Sequence, residues 1–249
     1  MLAPSDLIRY GRQILYPGFG SEKQKMLEES HVVVAGIGGL GCAASLYLSS
    51  AGIGHITLVD CDLVELSNLN RQILYWEEDL GKEKPLVAEQ RLRKFNSSIK
   101  FTSVFERITS DNVRDIIKGA NVVVDGLDNY ETRLILNSAC VDQKIPLIHG
   151  GIYGFTGEVT TVVPGKSPCL ACFLDKKIPE PTGPVPVFGV VPALVASFQV
   201  TEVIKLLTGF GNLLTGKMLY FNTETMDLVC VDVSKNPNCK VCLDTGAFP

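Results

Sequence analysis

The sequence predicts an α/β fold whose central sheet is mostly parallel, and two patterns along the chain support this. Between residues 31 and 150, short β-branched runs alternate with longer amphipathic segments, which is typical of parallel strands joined by crossover helices. From residue 151 onward the runs come in strand-like pairs, which predicts antiparallel strands added to the sheet. We expect one domain over residues 1–249, with an N-terminal helical segment (1–30), a parallel core (31–150) and an antiparallel extension (151–249).

Five runs account for the parallel strands, and helical periodicity fills the segments between them. The runs HVVVAG, HITLVD, KFTSVF, NVVVDG and IPLIHG begin at residues 31, 55, 100, 121 and 145. Pro85 suits the first turn of a helix, where its missing N–H would have no intrahelical partner. The predicted helices run from Gly41 to about Gly52, from Pro85 to Phe95, from Asp111 to Lys118 and from Glu131 to Val141.

The second half contains three further strand-like runs and one proline-rich segment. GEVTTVVPG starts at residue 157, KMLYFN at 217 and DLVCVDV at 227. Residues 173–191 contain four prolines, which forbid a regular helix or a central strand, so we expect a long extended loop that crosses the surface. Pro192 then opens a largely apolar helix that runs to about Leu207 and is closed by Gly209.

Bulk composition narrows the classes of function. The formal net charge of −4 and the pI of about 5.5 provide no broad basic surface, which argues against nucleic-acid binding. The sequence shows neither a signal-peptide run nor an apolar stretch near the roughly 18 residues of a membrane span. The expectation is a cytoplasmic protein without membrane contact, whose cysteines stay free, catalytic or metal-bound.

The spacing of the cysteines separates two groups. Two CxxC pairs, Cys169 with Cys172 and Cys239 with Cys242, predict one tetrahedral zinc site with four thiolate ligands and a structural role. The alternative is a pair of redox disulfides, for which no thioredoxin-like context is present. The remaining cysteines sit singly among apolar neighbours and are expected to be buried small hydrophobes; they are Cys42, Cys61, Cys140 and Cys230.

A glycine-rich turn indicates a nucleotide site. GIGGLG supplies Gly36, Gly38, Gly39 and Gly41 between a strand and a helix, where backbone amides can approach phosphate at the helix N-terminus. Asp60 ends the next predicted strand, placed to bind ribose hydroxyls. Together these features predict a Rossmann-like, doubly wound core. An NAD-dependent oxidoreductase would show the same features, so the distinction depends on other residues.

Polar residues that have no role in hydride transfer follow the strand ends. CDLVELSNLNRQ comes directly after Asp60, on the side where phosphates would lie, and GKEKP precedes a helix. NVVVDGLDNYETR ends its strand with residues from which a carboxylate could hold magnesium. These candidate ligand-binding residues are Asp62, Ser67, Asn68, Asn70, Arg71, Gln72, Lys84, Asp128 and Asn129.

This set suits the displacement of pyrophosphate from ATP. Amides would face the phosphates, Arg71 and Lys84 would stabilise developing charge, and Asp128 would hold a magnesium ion. That chemistry needs cations and a metal rather than a hydride acceptor. No Ser-His-Asp set is evident, and the three histidines, His31, His55 and His149, lie beside predicted strands without metal-ligand spacing, so they are interpreted as structural.

Several motifs in order resemble the MoeB/ThiF/HesA family of ubiquitin-activating-type adenylyltransferases, and MoeB-like members most closely. The motifs are RYGRQILYPGFG from Arg9, GIGGLG, VDCDLVELSNLNRQ, GKEKP, DGLDNYETR and the two CxxC pairs. The resemblance implies that the C-terminal glycine carboxylate of a small ubiquitin-like sulfur carrier ending in Gly-Gly attacks the α-phosphate of ATP. The products would be an acyl-adenylate and pyrophosphate.

The resemblance also implies roles for individual residues. Gly39 and Gly41 would approach the nucleotide and Asp60 its ribose, while Asn68, Arg71 and Lys84 would contact phosphates. Asp128 would be the magnesium ligand and catalytic carboxylate. Arg12 would be an arginine finger that reaches into the site of the other subunit of a homodimer.

Residues 173–191 contain no cysteine, although many members of the family carry one in the loop over the site. The sequence therefore favours a protein that stops at the adenylate. Three alternatives stay open: the same ATP chemistry on a peptide or a tRNA nucleoside, an NAD-binding oxidoreductase, and a catalytically silent binding partner.

Overall fold

An eight-stranded mixed sheet organises the computed structural model, which describes residues 2–174, 183 and 185–243. The strands follow the order β3-β2-β1-β4-β5-β6-β7-β8 across the sheet. They are β1 (His31–Ala35), β2 (His55–Asp60), β3 (Lys100–Phe105), β4 (Val122–Asp125), β5 (Leu147–Tyr153), β6 (Thr156–Val162), β7 (Lys217–Asn222) and β8 (Asp227–Asp232).

The predicted division of the sheet is confirmed. Strands β1 to β5 are parallel to one another, whereas β6, β7 and β8 are added antiparallel after β5. The chain moves outward in one direction from β1 to β3 and then returns to place β4 on the other side of β1. In sheets of this kind, ligands bind outside the carboxyl ends of the strands where this reversal occurs.

Helices cover both faces of the parallel strands, which is required because a parallel sheet is buried on both sides. One face packs against residues such as Leu48 and Val195, and the other against Ile117 and Leu136, all fully buried. The helices are α1 (Pro4–Arg9), α2 (Gly11–Ile14), α3 (Gly20–Glu28), α4 (Gly39–Ala51), α5 (Lys84–Phe95), α6 (Val113–Ile116), α7 (Tyr130–Asp142) and α8 (Val190–Thr208).

Predicted helix bounds differ most from the structure at α6. The expected helix from Asp111 to Lys118 is reduced to the single turn Val113–Ile116. The side chain of Asn112 accepts hydrogen bonds from the amide and hydroxyl of Thr109, and such local bonds compete with helix formation. The other predicted helices begin and end within about two residues of the observed bounds, the usual uncertainty of helix ends.

Helix α8 corrects the expectation that no apolar stretch approaches the length of a membrane span. Among the described residues, it is the one helix long and apolar enough to cross a membrane by length and composition. It packs against α4, β5 and β6, and the polar residues Gln199 and Glu202 are buried on it. These contacts are those of a core helix. The helix begins at Val190, two residues before the predicted start at Pro192, which is possible because proline is tolerated in the first turn.

Two of the four single cysteines are not buried as predicted. Cys42 and Cys140 lie in the core, whereas Cys61 is half-buried and Cys230 is exposed. Cys230 lies on β8, the edge strand, where all six residues are exposed. The apolar residues around Cys230 therefore do form a strand, but few described residues pack against either of its faces.

Backbone contact between glycines closes the turn between β1 and α4. Gly36 has a left-handed φ of 87°, and a Cβ there would lie 2.7 Å from the carbonyl oxygen of Gly126. A Cβ on Gly41 would overlap the carbonyl oxygen of Gly36. The loop after β4 and the start of α4 can therefore approach the turn only because these positions lack side chains.

We expect Gly41→Ala to destabilise the fold, because the added methyl group meets backbone rather than a side chain that could move. The loss should be about 1–3 kcal/mol or more, measured as the free energy of unfolding in urea. Gly11→Ala is the matched control, since a Cβ there has nothing within 4 Å. A Gly41→Ala protein as stable as the control would show that this contact is not a constraint.

Candidate functional site

A cavity of about 660 Å³ opens at the carboxyl ends of the parallel strands. Its volume falls within the range of about 300–1,000 Å³ that is usual for small-molecule sites. Ten of the residues predicted from sequence line it together: Gly36, Gly38, Gly39, Asp60, Asp62, Arg71, Gln72, Lys84, Asp128 and Asn129. The cavity thus lies where the strand order reverses, beside β1 and β4.

The glycine turn forms one wall of the cavity. Helix α4 starts at Gly39, and no side chain among the described residues caps its N-terminus. The amides of this first turn are therefore available to an anion, whose charge the helix dipole favours. Gly41, predicted to bind the cofactor, does not line the cavity; its role in the fold is the close approach to Gly36.

Asp60 ties the end of β2 to the glycine turn. One carboxylate oxygen accepts a hydrogen bond from the Ile37 amide at 2.6 Å, and the other accepts one from the Asp62 amide at 2.8 Å. Burial raises the pKa of Asp60, and Lys84 and the two amides oppose that shift. The side chain is thereby fixed in orientation at the cavity wall, as an acceptor group for a bound hydroxyl would need to be.

The two predicted cations are both held by neighbouring acceptors. Lys84 is 4% exposed, and its Nζ lies 2.8 Å from Asp62 Oδ2. The Nη1 of Arg71 donates to the carbonyl oxygen of Ser67 at 2.8 Å and to Asn70 Oδ1 at 2.9 Å. Both cations thus reach the cavity from defined positions and do not move freely in solvent.

Ser67 and Asn68 were predicted to bind the nucleotide, but neither lines the cavity. Asn68 is buried, and its Oδ1 accepts from the amide of Glu65 at 3.1 Å, which closes a short 3₁₀ turn. Ser67 is exposed and holds Arg71 through its carbonyl group. In this structure both residues shape the segment that carries Arg71, which is how polar side chains commonly stabilise turns. Gln72, by contrast, lines the cavity.

Asp128 and Asn129 lie at the start of α7. The Oδ1 of Asn129 accepts from the Thr132 amide at 2.9 Å and caps the helix, so only its amide nitrogen remains for Asp128, at 3.3 Å. Asp128 itself is exposed to the cavity. A carboxylate in this position has lone pairs available for a hard cation.

Sequence reasoning missed a buried charge cluster under the Asp128 loop. Asp125 and His149 are fully buried, and Arg133 is 7% exposed. His149 Nδ1 lies 2.7 Å from Asp125 Oδ2, and Arg133 Nε lies 3.3 Å from the same oxygen. Glu158 reaches the other nitrogen of His149 at 3.4 Å. The sequence signal for this cluster was limited to the charged residues of DGLDNYETR, which include Asp125 and Arg133.

Arg12 is exposed and lies outside the cavity of its own chain. Its neighbour Gln13 donates to the carbonyl oxygen of Ala51, the last residue of α4, whereas the cavity is at the first residue, Gly39. Thirteen helical residues span about 20 Å. The structure therefore does not bring Arg12 together with the other predicted catalytic residues within one chain.

The four CxxC cysteines converge on the face of the sheet that carries α7. The sulfur atoms of Cys169, Cys172, Cys239 and Cys242 all lie within 4.8 Å of one another. The Cys169–Cys239 and Cys172–Cys242 sulfur distances are 3.7 and 3.4 Å. Four sulfurs about 2.3 Å from a tetrahedral zinc would be about 3.8 Å apart, so the cluster could hold that ion.

Part of the predicted crossover loop can be placed. Residues 175–182 and 184 lie outside the described residues, and they include three of the four prolines, Pro179, Pro181 and Pro184. The described end is extended, as predicted: Pro186 accepts from the Gly154 amide at 2.7 Å. Gly183, Val185 and Val187 contribute to the cavity lining.

Comparison with known proteins identifies the family of this chain. Residues 10–241 match the sequence profile of the ThiF family. The chain is 41% identical to the SAMP-activating enzyme E1 of Haloferax volcanii, over 98% of this chain and 92% of that protein. It is 40% identical to the sulfur carrier protein adenylyltransferase of Thermus thermophilus, over 96% and 92%.

The fold also matches solved structures. The structure of E. coli MccB with ATP superposes with a TM-score of 0.86 at 28% identity, covering 94% of this chain and 73% of that one. The chain therefore belongs to the ThiF family, and it is an enzyme of the adenylyltransferase type.

Proposed function

We propose that this protein uses ATP and magnesium to adenylate the C-terminal glycine carboxylate of a small ubiquitin-like sulfur carrier, with release of pyrophosphate. The observation that carries the proposal is the convergence of the glycine turn, Asp60, Arg71, Lys84 and Asp128 on one cavity. Relatives named as sulfur carrier adenylyltransferases, from Thermus thermophilus and Bacillus subtilis, support the choice of substrate.

The charges around the cavity suit this reaction. Attack of a carboxylate on the α-phosphate brings two anions together, and Coulomb repulsion opposes it unless cations are positioned nearby. Arg71, on the segment after β2, and Lys84, at the start of α5, both line the cavity and offer such charge. The amides at the start of α4 would orient the phosphates, and Asp60 the ribose.

Asp128 would hold magnesium, since it is an exposed carboxylate at the cavity and carboxylate oxygens are preferred ligands of that ion. When bound, magnesium supplies positive charge that neutralises the phosphates. Lys84 would exchange its contact with Asp62 for a phosphate oxygen when the nucleotide enters. Asp62 therefore holds the lysine in place before the substrate arrives.

Arg12 would act from a second copy of the chain. Because α2 lies at the far end of α4 from the cavity, Arg12 serves the site only if a partner subunit brings its own α2 to this cavity. This proposal requires a homodimer with two-fold symmetry, in which each chain gives and receives one arginine.

The alternatives are weaker on this structure. An NAD-dependent oxidoreductase has no use for the pair of cations held by Asp62 and Asn70. The fold is also similar to that of MccB bound to ATP. A different acceptor of the adenylyl group, such as a peptide, is therefore one outcome of the test below. The formal net charge of −4 does not favour tRNA.

Replacing Asp128 should abolish the reaction. We expect Asp128→Asn to lower magnesium-dependent exchange of pyrophosphate into ATP by about a hundredfold or more, because charge stabilisation at the phosphates is lost. Exchange would be measured with a panel of small proteins that end in Gly-Gly. Asp115→Asn, on the exposed surface of α6, is the control with unchanged exchange. ATP binding without exchange for any carrier would contradict the proposed acceptor.

Mixing two inactive chains tests the arginine finger. Arg12→Ala and Asp128→Ala should each be inactive as homodimers, because each lacks one component of every site. After subunit exchange at equal concentrations, half of the dimers are mixed and each has one complete site, so about a quarter of wild-type exchange should return. Exchange that stays at the level of the single variants would show that Arg12 does not act in trans.

The cysteine cluster should bind one zinc ion per chain, with a structural role, since four thiolates leave no open coordination position. Cys239→Ser should lose the metal, measured by elemental analysis. It should also lower the Tm by roughly 5 °C or more, since each kcal/mol is worth about 2–4 °C at this chain length. Cys230 is exposed on β8, so Cys230→Ser is the control and should keep the zinc ion and the wild-type Tm. Full zinc occupancy in Cys239→Ser would refute the four-thiolate site.

A further inference from the structure

The cluster beneath the Asp128 loop binds the backbone of that loop on both sides. Asp125 Oδ1 accepts from the Leu127 amide at 3.0 Å, and Arg133 Nη2 donates to the Leu127 carbonyl oxygen. Arg133 also donates to Gly150 on β5 at 3.0 Å. The carbonyl group of Asp125 is fixed in turn by Gln199 of α8, at 2.8 Å. Asp128 follows directly, so its position depends on this cluster.

Both ring nitrogens of His149 face carboxylates. Nδ1 lies 2.7 Å from Asp125 Oδ2, and Nε2 lies 3.4 Å from Glu158 Oε1. Ionised carboxylates only accept hydrogen bonds, and a neutral imidazole carries a single N–H. A neutral His149 would therefore direct one lone pair at a carboxylate oxygen. Only the imidazolium form satisfies both contacts.

The charge count gives the same answer. Asp125 and Glu158 contribute two negative charges, and Arg133 contributes one positive charge. A protonated His149 makes the cluster neutral, whereas a neutral His149 leaves a net negative charge around two fully buried residues. An uncompensated buried charge is strongly unfavourable.

The register of β5 and β6 creates this arrangement. Glu158 pairs with Gly151, two residues beyond His149 on the same face of β5. Because Gly151 has no side chain, the carboxylate of Glu158 can lie across it; a Cβ there would be 2.7 Å from Glu158 Oε1. The glutamate thereby reaches His149 diagonally.

We propose that His149 is a positioning residue, which as an imidazolium between Asp125 and Glu158 keeps residues 126–129, and with them Asp128, in the geometry for adenylation. The part that concerns catalysis rests on the proposed function. The protonation state and the loop geometry do not, and they can be tested without any substrate.

Titration of His149 should therefore couple the site to pH. The charged and polar groups that face it are Asp125 of β4, Arg133 of α7 and Glu158 of β6, with Tyr220 of β7 bonded to Glu158. Burial lowers the pKa of His149, but hydrogen bonds with Asp125 and Glu158 outweigh it and raise the pKa above the ordinary value of 6.5. The pKa values of Asp125 and Glu158 are correspondingly lowered, although burial opposes this.

The raised pKa of His149 determines how stability changes with pH. Because the folded pKa of His149 exceeds the unfolded one, its stabilisation is complete below about pH 6.5. It is lost as pH rises through the folded pKa. We therefore expect both Tm and exchange activity to fall on the alkaline side as His149 loses its proton.

Histidine NMR on the full chain tests the protonation state directly, because the chain has three histidines. The ring signals of His31 and His55, assigned by His31→Gln and His55→Gln, should titrate below pH 6.5, since burial lowers both pKa values. The third signal, His149, should titrate above pH 6.5. Titration of that signal below pH 6.5 would overturn the proposal.

Charge compensation tests the positioning role. His149→Gln should shift the amide signals of residues 126–129 and lower kcat for exchange at pH 7 by about tenfold or more, because small misplacements of catalytic groups are costly. Adding Glu158→Gln removes the excess negative charge. The double variant should regain most of the activity and lose the alkaline decline. His31→Gln, with its side chain at the opposite ends of the strands, is the control.

Two results would refute the positioning role: unchanged amide signals of residues 126–129 in His149→Gln, or an alkaline decline that persists in the double variant. If the wild-type protein catalyses no exchange at any pH, the proposed function fails instead. The histidine titration, the amide signals and the pH dependence of Tm then still decide whether His149 is charged and holds the loop.

Discussion

Backbone contact at the centre of the sheet governs the placement of the site. The turn after β1 and the loop after β4 meet where Gly36, Gly41 and Gly126 lack side chains. This contact brings the N-terminus of α4, which offers unpaired amides, close to the segment that carries Asp128. If either loop moved outward by the width of a methyl group, the N-terminus of α4 would separate from the carboxylate of Asp128. The architecture and the chemistry thus depend on the same glycines.

The partners of the two cations in the cavity, Lys84 and Arg71, determine whether those cations are available to a ligand. Lys84 is almost fully buried, a position that an unpaired lysine rarely occupies, and Asp62 provides its partner from an exposed position. In the proposed reaction, a phosphate group would replace Asp62 as the partner of Lys84. Arg71 is held mainly by neutral acceptors, which a phosphate can outcompete through a charge-assisted bond. The cavity is thereby arranged for an anion before one binds.

Sequence patterns predicted the parallel core and most of the cavity, because parallel strands end at one edge and the polar residues that follow them must converge there. They could not show that Asn68 closes a turn, since a ligand contact and a local cap use the same side-chain amide. Nor could they pair His149 with Glu158, because that contact depends on the register between β5 and β6 and on the space that Gly151 leaves. Both features depend on three-dimensional neighbours that spacing along the chain does not specify.

The segment that carries Arg12 is anchored at the C-terminal end of α4. Tyr10 is buried against Gly52, and its hydroxyl accepts from Asn96 at 2.9 Å, while Gln13 and Gln24 bind the carbonyl oxygen of Ala51. The two glutamine bonds use one acceptor at the end of α4, the carbonyl oxygen of Ala51, which has no partner within the helix. They fix the N-terminal segment at one end of the helix whose other end faces the cavity. In the proposed homodimer, Arg12 would therefore extend to the partner from a segment fixed by several hydrogen bonds. In the proposed homodimer, α4 would contribute to its own site through its first turn and to the partner's site through the segment held at its last turn.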